Sequence, residues 1–179
     1  MPTVLALLAD GFEEIEAVTP IDLLRRAGAE VVIASLSPGI HVTGRSGMVM
    51  HADTLLSAIE THSFDCVFLP GGPGTKLLRA DPRVNALVRR QAEAGRWLAA
   101  ICAAPTVLHD AGLLVDRRYT AHFSVSDELP RLLPNEKVVQ DGMILTSRGA
   151  GTALDFGLLL VEKLFSAEKA QEVAALICA

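Results

Sequence analysis

The sequence predicts an α/β fold built on a mostly parallel sheet, and three observations support this. Short continuous apolar runs, rather than alternating ones, recur along the chain, as in strands buried on both faces. Segments of helical periodicity separate those runs, which is the order of βαβ units. Aromatic residues make up 4% of the chain against 50% apolar residues in total, so small and branched side chains fill the core, as they do in parallel sheets.

The elements follow in order. Thr3–Leu8 is a buried strand, broken at Asp10 and Gly11. From Phe12 to Ala27 the spacing of Ile15, Val18, Leu23 and Leu24 predicts a helix, with Pro20 as a kink or a fresh start and Gly28 at its C-cap. Glu30–Leu36 is the second strand. His41–Thr43 and Met48–Met50 flank Gly44–Gly47 as a hairpin. Leu55–Ile59 is a short helix, and Cys66–Leu69 a core strand ending in Pro70, Gly71, Gly72, Pro73 and Gly74. Pro82–Ala94 is a helix stopped by Gly95, Arg96–Ile101 a strand, and Ala103–Ala111 a helix. Gln140, Asp141 and Gly142 turn a second hairpin between Val138–Val139 and Met143–Thr146, with Asp141-Gly142 as the signal. Ala150–Phe165 and Ala167–Ile177 are the closing helices.

A chain of 179 residues holds one full core and is too short for two ordinary ones, so residues 1–179 are expected to form a single domain. The net charge of -5 and the absence of any basic run beyond Arg/Arg pairs argue against a sequence-specific nucleic-acid surface. The apolar run Val4–Ala9 has no basic lead and is shorter than a signal segment, and no stretch is long enough to span a bilayer. The expected address is the cytoplasm, without membrane partners. Three cysteines, Cys66, Cys102 and Cys178, make no disulfide framework, and no CxxC or Cys/His cluster predicts a metal.

Four segments carry candidate chemistry. Cys102 sits where a strand feeds a helix through small residues, Ala99 to Ala104, with Pro105 fitted to a first helical turn. Such an elbow exposes a nucleophile. A place at the positive end of a helix would lower the thiol pKa. The same segment reads equally as a buried structural cysteine. The glycines after the Cys66–Leu69 strand, Gly71 and Gly72, bring backbone N–H groups to the carboxyl edge of the sheet, where ligands bind and oxyanions are held, or form a plain tight turn. Glu13 and Glu14 suit a first helical turn with no further role. Glu16 falls at the same sheet edge as Cys102, where a carboxyl facing a thiolate keeps its proton and serves as acid and base. His122 gains weight only from these neighbours; His41, His51, His62 and His109 have no such context.

Glu13 to Val18, Leu69 to Gly72, Ala99 to Thr106, Thr120 to His122 and Leu145 to Ala153 occur in that order. Together they resemble the ThiJ/PfpI superfamily (class I glutamine amidotransferase-like), close to the branch of the parkinsonism-associated protein deglycase and its bacterial relatives. The resemblance covers nearly the whole chain. It implies a flavodoxin-like three-layer sandwich with helices on both faces, and a homodimer. It implies that Cys102 is the nucleophile, that Glu16 shares a proton with it, and that His122 lies nearby. By the same likeness Gly72 and Ala103 face a substrate oxygen with their N–H groups, and Arg26 and Arg45 lie near the site. Ala103 directly after Cys102, where proteases of the wider family have histidine, counts against proteolysis.

The implied activity is a cofactor-free, glutathione-independent glyoxalase with related deglycase activity. Its substrates would be methylglyoxal, glyoxal or their early adducts on protein and nucleotide amines, reached through a Cys102 hemithioacetal. The alternatives are an oxidative-stress sensor or chaperone built on the same cysteine, and a hydratase or hydrolase of another small electrophile such as an isonitrile.

Overall fold

A computed structural model describes all 179 residues. Nine strands are present: β1 (Thr3–Leu8), β2 (Glu30–Ser35), β3 (His41–Thr43), β4 (Val49–His51), β5 (Thr54–Leu55), β6 (Cys66–Leu69), β7 (Trp97–Ile101), β8 (Val138–Asp141) and β9 (Ile144–Ser147). Seven of them form one sheet in the order β5-β2-β1-β6-β7-β9-β8. All its pairings are parallel except β8 with β9. β3 and β4 form a separate antiparallel hairpin.

Because strand side chains alternate, each strand feeds two cores. Val4, Ala6 and Leu8 of β1 join Phe68, Ala99 and Ile101 on one face, under α1 (Glu14–Ala27), α6 (Ala153–Leu164) and α7 (Ala167–Leu176). Leu5 and Leu7 join Val67, Leu69, Leu98 and Ala100 on the other face. That face is covered by α2 (Leu56–Ile59), α3 (Thr75–Ala80), α4 (Pro82–Glu93) and α5 (Pro105–Asp110). The expected flavodoxin-like three-layer sandwich is the fold that forms. On the first face, the ideal Cβ position of Gly157 in α6 lies 3.2 Å from the Pro20 Cα and 2.6 Å from Leu23 Cδ1 of α1. Glycine thus lets the two helices meet backbone to backbone.

Several local details differ from the sequence expectation. α1 runs through Pro20 without a break; proline only withholds the N–H that the Glu16 carbonyl would otherwise accept. α3 was not expected, because six residues after a glycine-rich turn carry too little periodicity. β5 has two residues and no pattern of its own. The second hairpin turns at Gly142 and Met143, one residue later than expected, since Asp141 already pairs with Ile144. Ala150–Thr152 is a 3-10 turn that precedes α6.

The strand order fixes where a ligand can sit. From β1 the chain moves outward to β2 and β5, then returns to β6 and builds in the opposite direction. The reversal opens a crevice beyond the carboxyl ends of β1 and β6. The first turn of α1 after β1 carries Glu16, and the loops after β6 and β7 carry the Gly71–Gly72 turn and Cys102.

Candidate active site

Cys102 leaves β7 with φ of +66°, a left-handed conformation that a non-glycine residue rarely adopts, at a cost of about 1–3 kcal/mol. Hydrogen bonds hold it there. Its N–H donates to the Ser147 carbonyl at 2.9 Å, and its carbonyl accepts from the His122 N–H at 2.9 Å. The Ala104 N–H closes the turn onto the Ile101 carbonyl at 3.1 Å. The elbow is thus anchored to β9 and to the segment that carries His122. Cys66 is wholly buried, where burial pushes its thiol up, and Cys178 is exposed at the C-terminal end.

Glu16 is 1% exposed, in the first turn of α1. Its Oε2 accepts from the Gly71 N–H at 3.0 Å, and the Ala150 N–H also faces its carboxyl group. Burial above all, with the Glu13 charge, pushes its carboxyl up to about 7, against the opposing hydrogen bond to the Cys102 thiol. Burial first, then the facing Glu16 charge, pushes the Cys102 thiol up to about 12, while the N–H groups of Gly72 and Ala103 draw it down. Burial and the facing carboxylate thus act against the ionisation that the sequence reading expected from a helix terminus. α5 has six residues, and desolvation outweighs what its terminus offers. Between those two limits the pair holds one proton and one negative charge, and its titration belongs to both groups together. When the proton sits on Glu16 the like-charge repulsion is gone, and two N–H groups and a carboxylic acid face the sulfur.

Gly71 has a different place from the one expected. Its N–H is taken by Glu16, and an added Cβ would stand 2.5 Å from the Cys102 Cβ and 2.6 Å from Glu16 Oε2. It lets acid and thiol meet and is not free to face a substrate. Gly72, with φ of +92°, leaves no room for a Cβ against the Gly11 carbonyl; its N–H and that of Ala103 are the two that approach the sulfur.

A cleft of about 520 Å³ opens over the sulfur, and Cys102, Glu16, Gly72, Ala103, His122 and Arg45 all line it. Its far wall carries Lys76 and Arg79, the latter paired with Asp110 at 2.7 Å and Glu128 at 2.7 Å. The His122 Nδ1 lies 2.8 Å from Ser124 Oγ and 3.2 Å from the Ser124 amide nitrogen, which fixes the ring at the cleft. Arg26 is the residue the structure does not bring in. It lies in the last turn of α1, far from Glu16 in the first, and pairs with Asp22 at 2.6 Å in solvent. Sequence reasoning missed the roles of Ala150 and Glu13. The Glu13 Oε2 caps the helix by accepting the Glu16 N–H at 2.9 Å, and its own N–H donates to the Gly71 carbonyl at 3.0 Å. Only the glycines around Ala150 in sequence hinted at a close backbone approach.

A sequence model of the DJ-1/PfpI family matches residues 2–163. The chain is 41% identical over 180 residues to DJ-1 homolog A of Arabidopsis thaliana, which covers 98% of this chain and 46% of the plant protein, so the chain spans about half of that relative. It is 34% identical over 170 residues to a Caenorhabditis elegans protein named glutathione-independent glyoxalase DJR-1.2, covering 93% and 90% of the two chains. The structure of oxidized Toxoplasma gondii DJ-1 superposes with a TM-score of 0.95 at 37% identity, covering 99% of this chain and 98% of that one.

Proposed function

The chain belongs to the DJ-1/PfpI family, and from that footing we propose that it is a glutathione-independent glyoxalase that converts 2-oxoaldehydes to 2-hydroxy acids at Cys102. The observation that carries this reading is the bent Cys102 elbow, with the buried Glu16 carboxyl beside the sulfur and the backbone N–H groups of Gly72 and Ala103 converging on it. In the charged pair, Glu16 takes the thiol proton as sulfur adds to the aldehyde carbon of methylglyoxal. The carbonyl π electrons go to oxygen, held by the N–H groups of Gly72 and Ala103. Proton return gives a hemithioacetal. Glu16 then removes the proton from the former aldehyde carbon, and reprotonation of the neighbouring carbon through an enediol leaves a thioester. Water hydrolyses the thioester to lactate and restores the thiol, so the net change is addition of water with internal redox balance. His122, which lines the cleft, serves as a proton relay to the second oxygen. Arg45, with Lys76 and Arg79, is among the basic residues that line the cleft. An early glycation hemiaminal reaches the same hemithioacetal when sulfur displaces the amine at its carbinol carbon, the C–N bond breaking as the C–S bond forms and the amine leaving with the thiol proton.

The test is lactate formation from methylglyoxal by protein dialysed against a chelator, without glutathione, for the native chain and Cys102→Ser. Turnover that falls by at least about a hundredfold supports the reading; equal turnover in the two proteins ends it.

A second reading rests on the same sulfur, which is partly exposed and faces two N–H groups and an acid. That setting also stabilises a sulfinate, and a similar structure is of an oxidized protein. Mass spectrometry after mild peroxide treatment, showing stable sulfinate on Cys102 in a chain that turns over no aldehyde, would favour sensing. We also propose that the protein is a homodimer. Ile15 and Val18 on the outer side of α1 are exposed, as are Met48 and Val49 of the hairpin. The hairpin tip docks beside α1 through the Ser46 N–H, which donates to Glu14 Oε1 at 2.8 Å.

A further inference from the structure

The far wall of the Cys102 cleft carries a charge that the reaction leaves unused. Lys76 lies there, in the first turn of α3. The chain has four lysines, and three pair with a carboxylate: Lys137 with Asp155, Lys163 with Glu162 and Lys169 with Glu172. Lys76 has no such partner, because the acids around it are taken. Glu128 holds Arg79 at 2.7 Å, and Asp110 takes the same guanidinium at 2.7 Å. The Glu13 carboxylate accepts the Glu16 N–H at 2.9 Å, and Glu16 faces Gly71 and Cys102. Arg79 is thus neutralised from within the protein, and the Lys76 ammonium is not. Its backbone is set by the turn that also sets Gly72. The Gly74 N–H donates to the Gly11 carbonyl at 3.0 Å, the Thr75 N–H to the Gly72 carbonyl at 3.1 Å and the Lys76 N–H to the Pro73 carbonyl at 3.2 Å. Only the four-carbon stem of Lys76 is left to follow a ligand. α3 packs on the sheet face opposite α1 and the β3–β4 hairpin, so the surface proposed for the dimer does not include Lys76.

We propose that Lys76 is a specificity-determining residue that receives a carboxylate at the far end of the substrate, so that Cys102 selects electrophiles with an anionic tail over neutral ones of similar size. The cleft, at about 520 Å³, holds far more than a three-carbon aldehyde fills. A compact space of that volume is about 10 Å across, which is about one Debye length at moderate salt. A charge on its wall therefore acts on any molecule bound over the sulfur, and more strongly than in open water because the walls lower the local dielectric. The substrates so marked are 2-oxoaldehydes with an acidic tail and glycation adducts of amino acids, whose carboxylate stands beyond the reacting carbon. The inference rests on the glyoxalase reading for the nature of the electrophile and names the substrate class for the same cleft.

The experiment needs no turnover. It compares the rates at which 3-maleimidopropionate and neutral N-ethylmaleimide label Cys102 at low salt, read by peptide mass spectrometry because Cys178 is also exposed. In both cases sulfur adds to the double bond and the thiol proton ends on the neighbouring carbon, so the probes differ in the carboxylate. The ratio of the two rates is referred to that of 2-mercaptoethanol, which cancels intrinsic reactivity. The native chain should favour the anionic probe by at least about threefold over that reference. The preference should vanish in Lys76→Gln and persist in Lys76→Arg and in Arg89→Gln, which removes the same charge from an exposed position on α4. Lys76 is exposed, and circular dichroism checks that each variant is folded. No preference in the native chain overturns the proposal. So does a preference that survives Lys76→Gln, which would assign the anion to Arg45, or one that Arg89→Gln abolishes equally, which would leave only net charge. Lactate formation from uncharged methylglyoxal tests the glyoxalase reading separately, so the two can fail independently.

Discussion

At Glu16 a carboxyl group with almost no solvent contact holds its proton to about pH 7, against an ordinary value of 4.5. For an acid whose folded pKa is raised, the stabilising contribution is complete below the unfolded value and disappears as pH climbs through the folded one. Native stability should therefore fall between pH 4.5 and about 7 on account of this residue. Glu16→Gln has no proton to lose. Denaturant titrations should find it more stable than the native chain at pH 8 by about 2 kcal/mol, after allowance for one weakened backbone contact, and no more stable at pH 5. Alkylation of Cys102 in the native chain should rise through about pH 7, where the pair first acquires its charge. Cys102 and Glu16 were legible in the sequence because each stands where an apolar run gives way to a helical pattern. The balance between them was not legible. The thiol is raised mainly by desolvation, and burial at a sheet edge depends on chain segments that no local window contains. The likeness to the family placed Arg26 near the site, but α1 holds it in the last turn, a helix length from Glu16 in the first.

At the scale of elements, α1 and α6 matter most, for α1 and the turn that leads into α6 bring Glu16 and the Ala150 N–H together from opposite ends of the chain. Gly157→Val should drive the α6 backbone away from Pro20 and Leu23, the contacts at 3.2 and 2.6 Å described above. Thermal or chemical denaturation should show a loss of about 1–3 kcal/mol. The strands were readable wherever four or more apolar residues ran together, and so were helices with a glycine or proline at their borders. β5 and α3 escaped because their length leaves no period to read. The late turn of the second hairpin shows a related limit. Asp141 and Gly142 announced a turn, but cross-strand register is decided by what β9 pairs with on its other side, which is β7.

For the whole molecule, the exposed apolar side chains on α1 and the adjoining hairpin supply a surface that a second copy can cover. Sedimentation equilibrium should find a dimer for the native chain and a monomer for Val18→Glu, which puts a charge at a position now 47% exposed; a native monomer would refute the assignment. No helix is long and apolar enough to cross a membrane. The sandwich itself followed from the sequence because a parallel sheet needs helices on both faces. The order of its strands did not, since β9 lies beside β7 although more than forty residues separate them in the chain. That distance bears on how the protein is made. The bend at Cys102 is held by an acceptor at Ser147 and a donor at His122, both synthesised after the cysteine. A nascent chain that has emerged only as far as β7 therefore carries an ordinary flexible thiol. The bend that sets the sulfur beside Glu16 and the Gly72 and Ala103 N–H groups exists only once the later segments dock, so a half-made protein lacks the assembled site of the finished one.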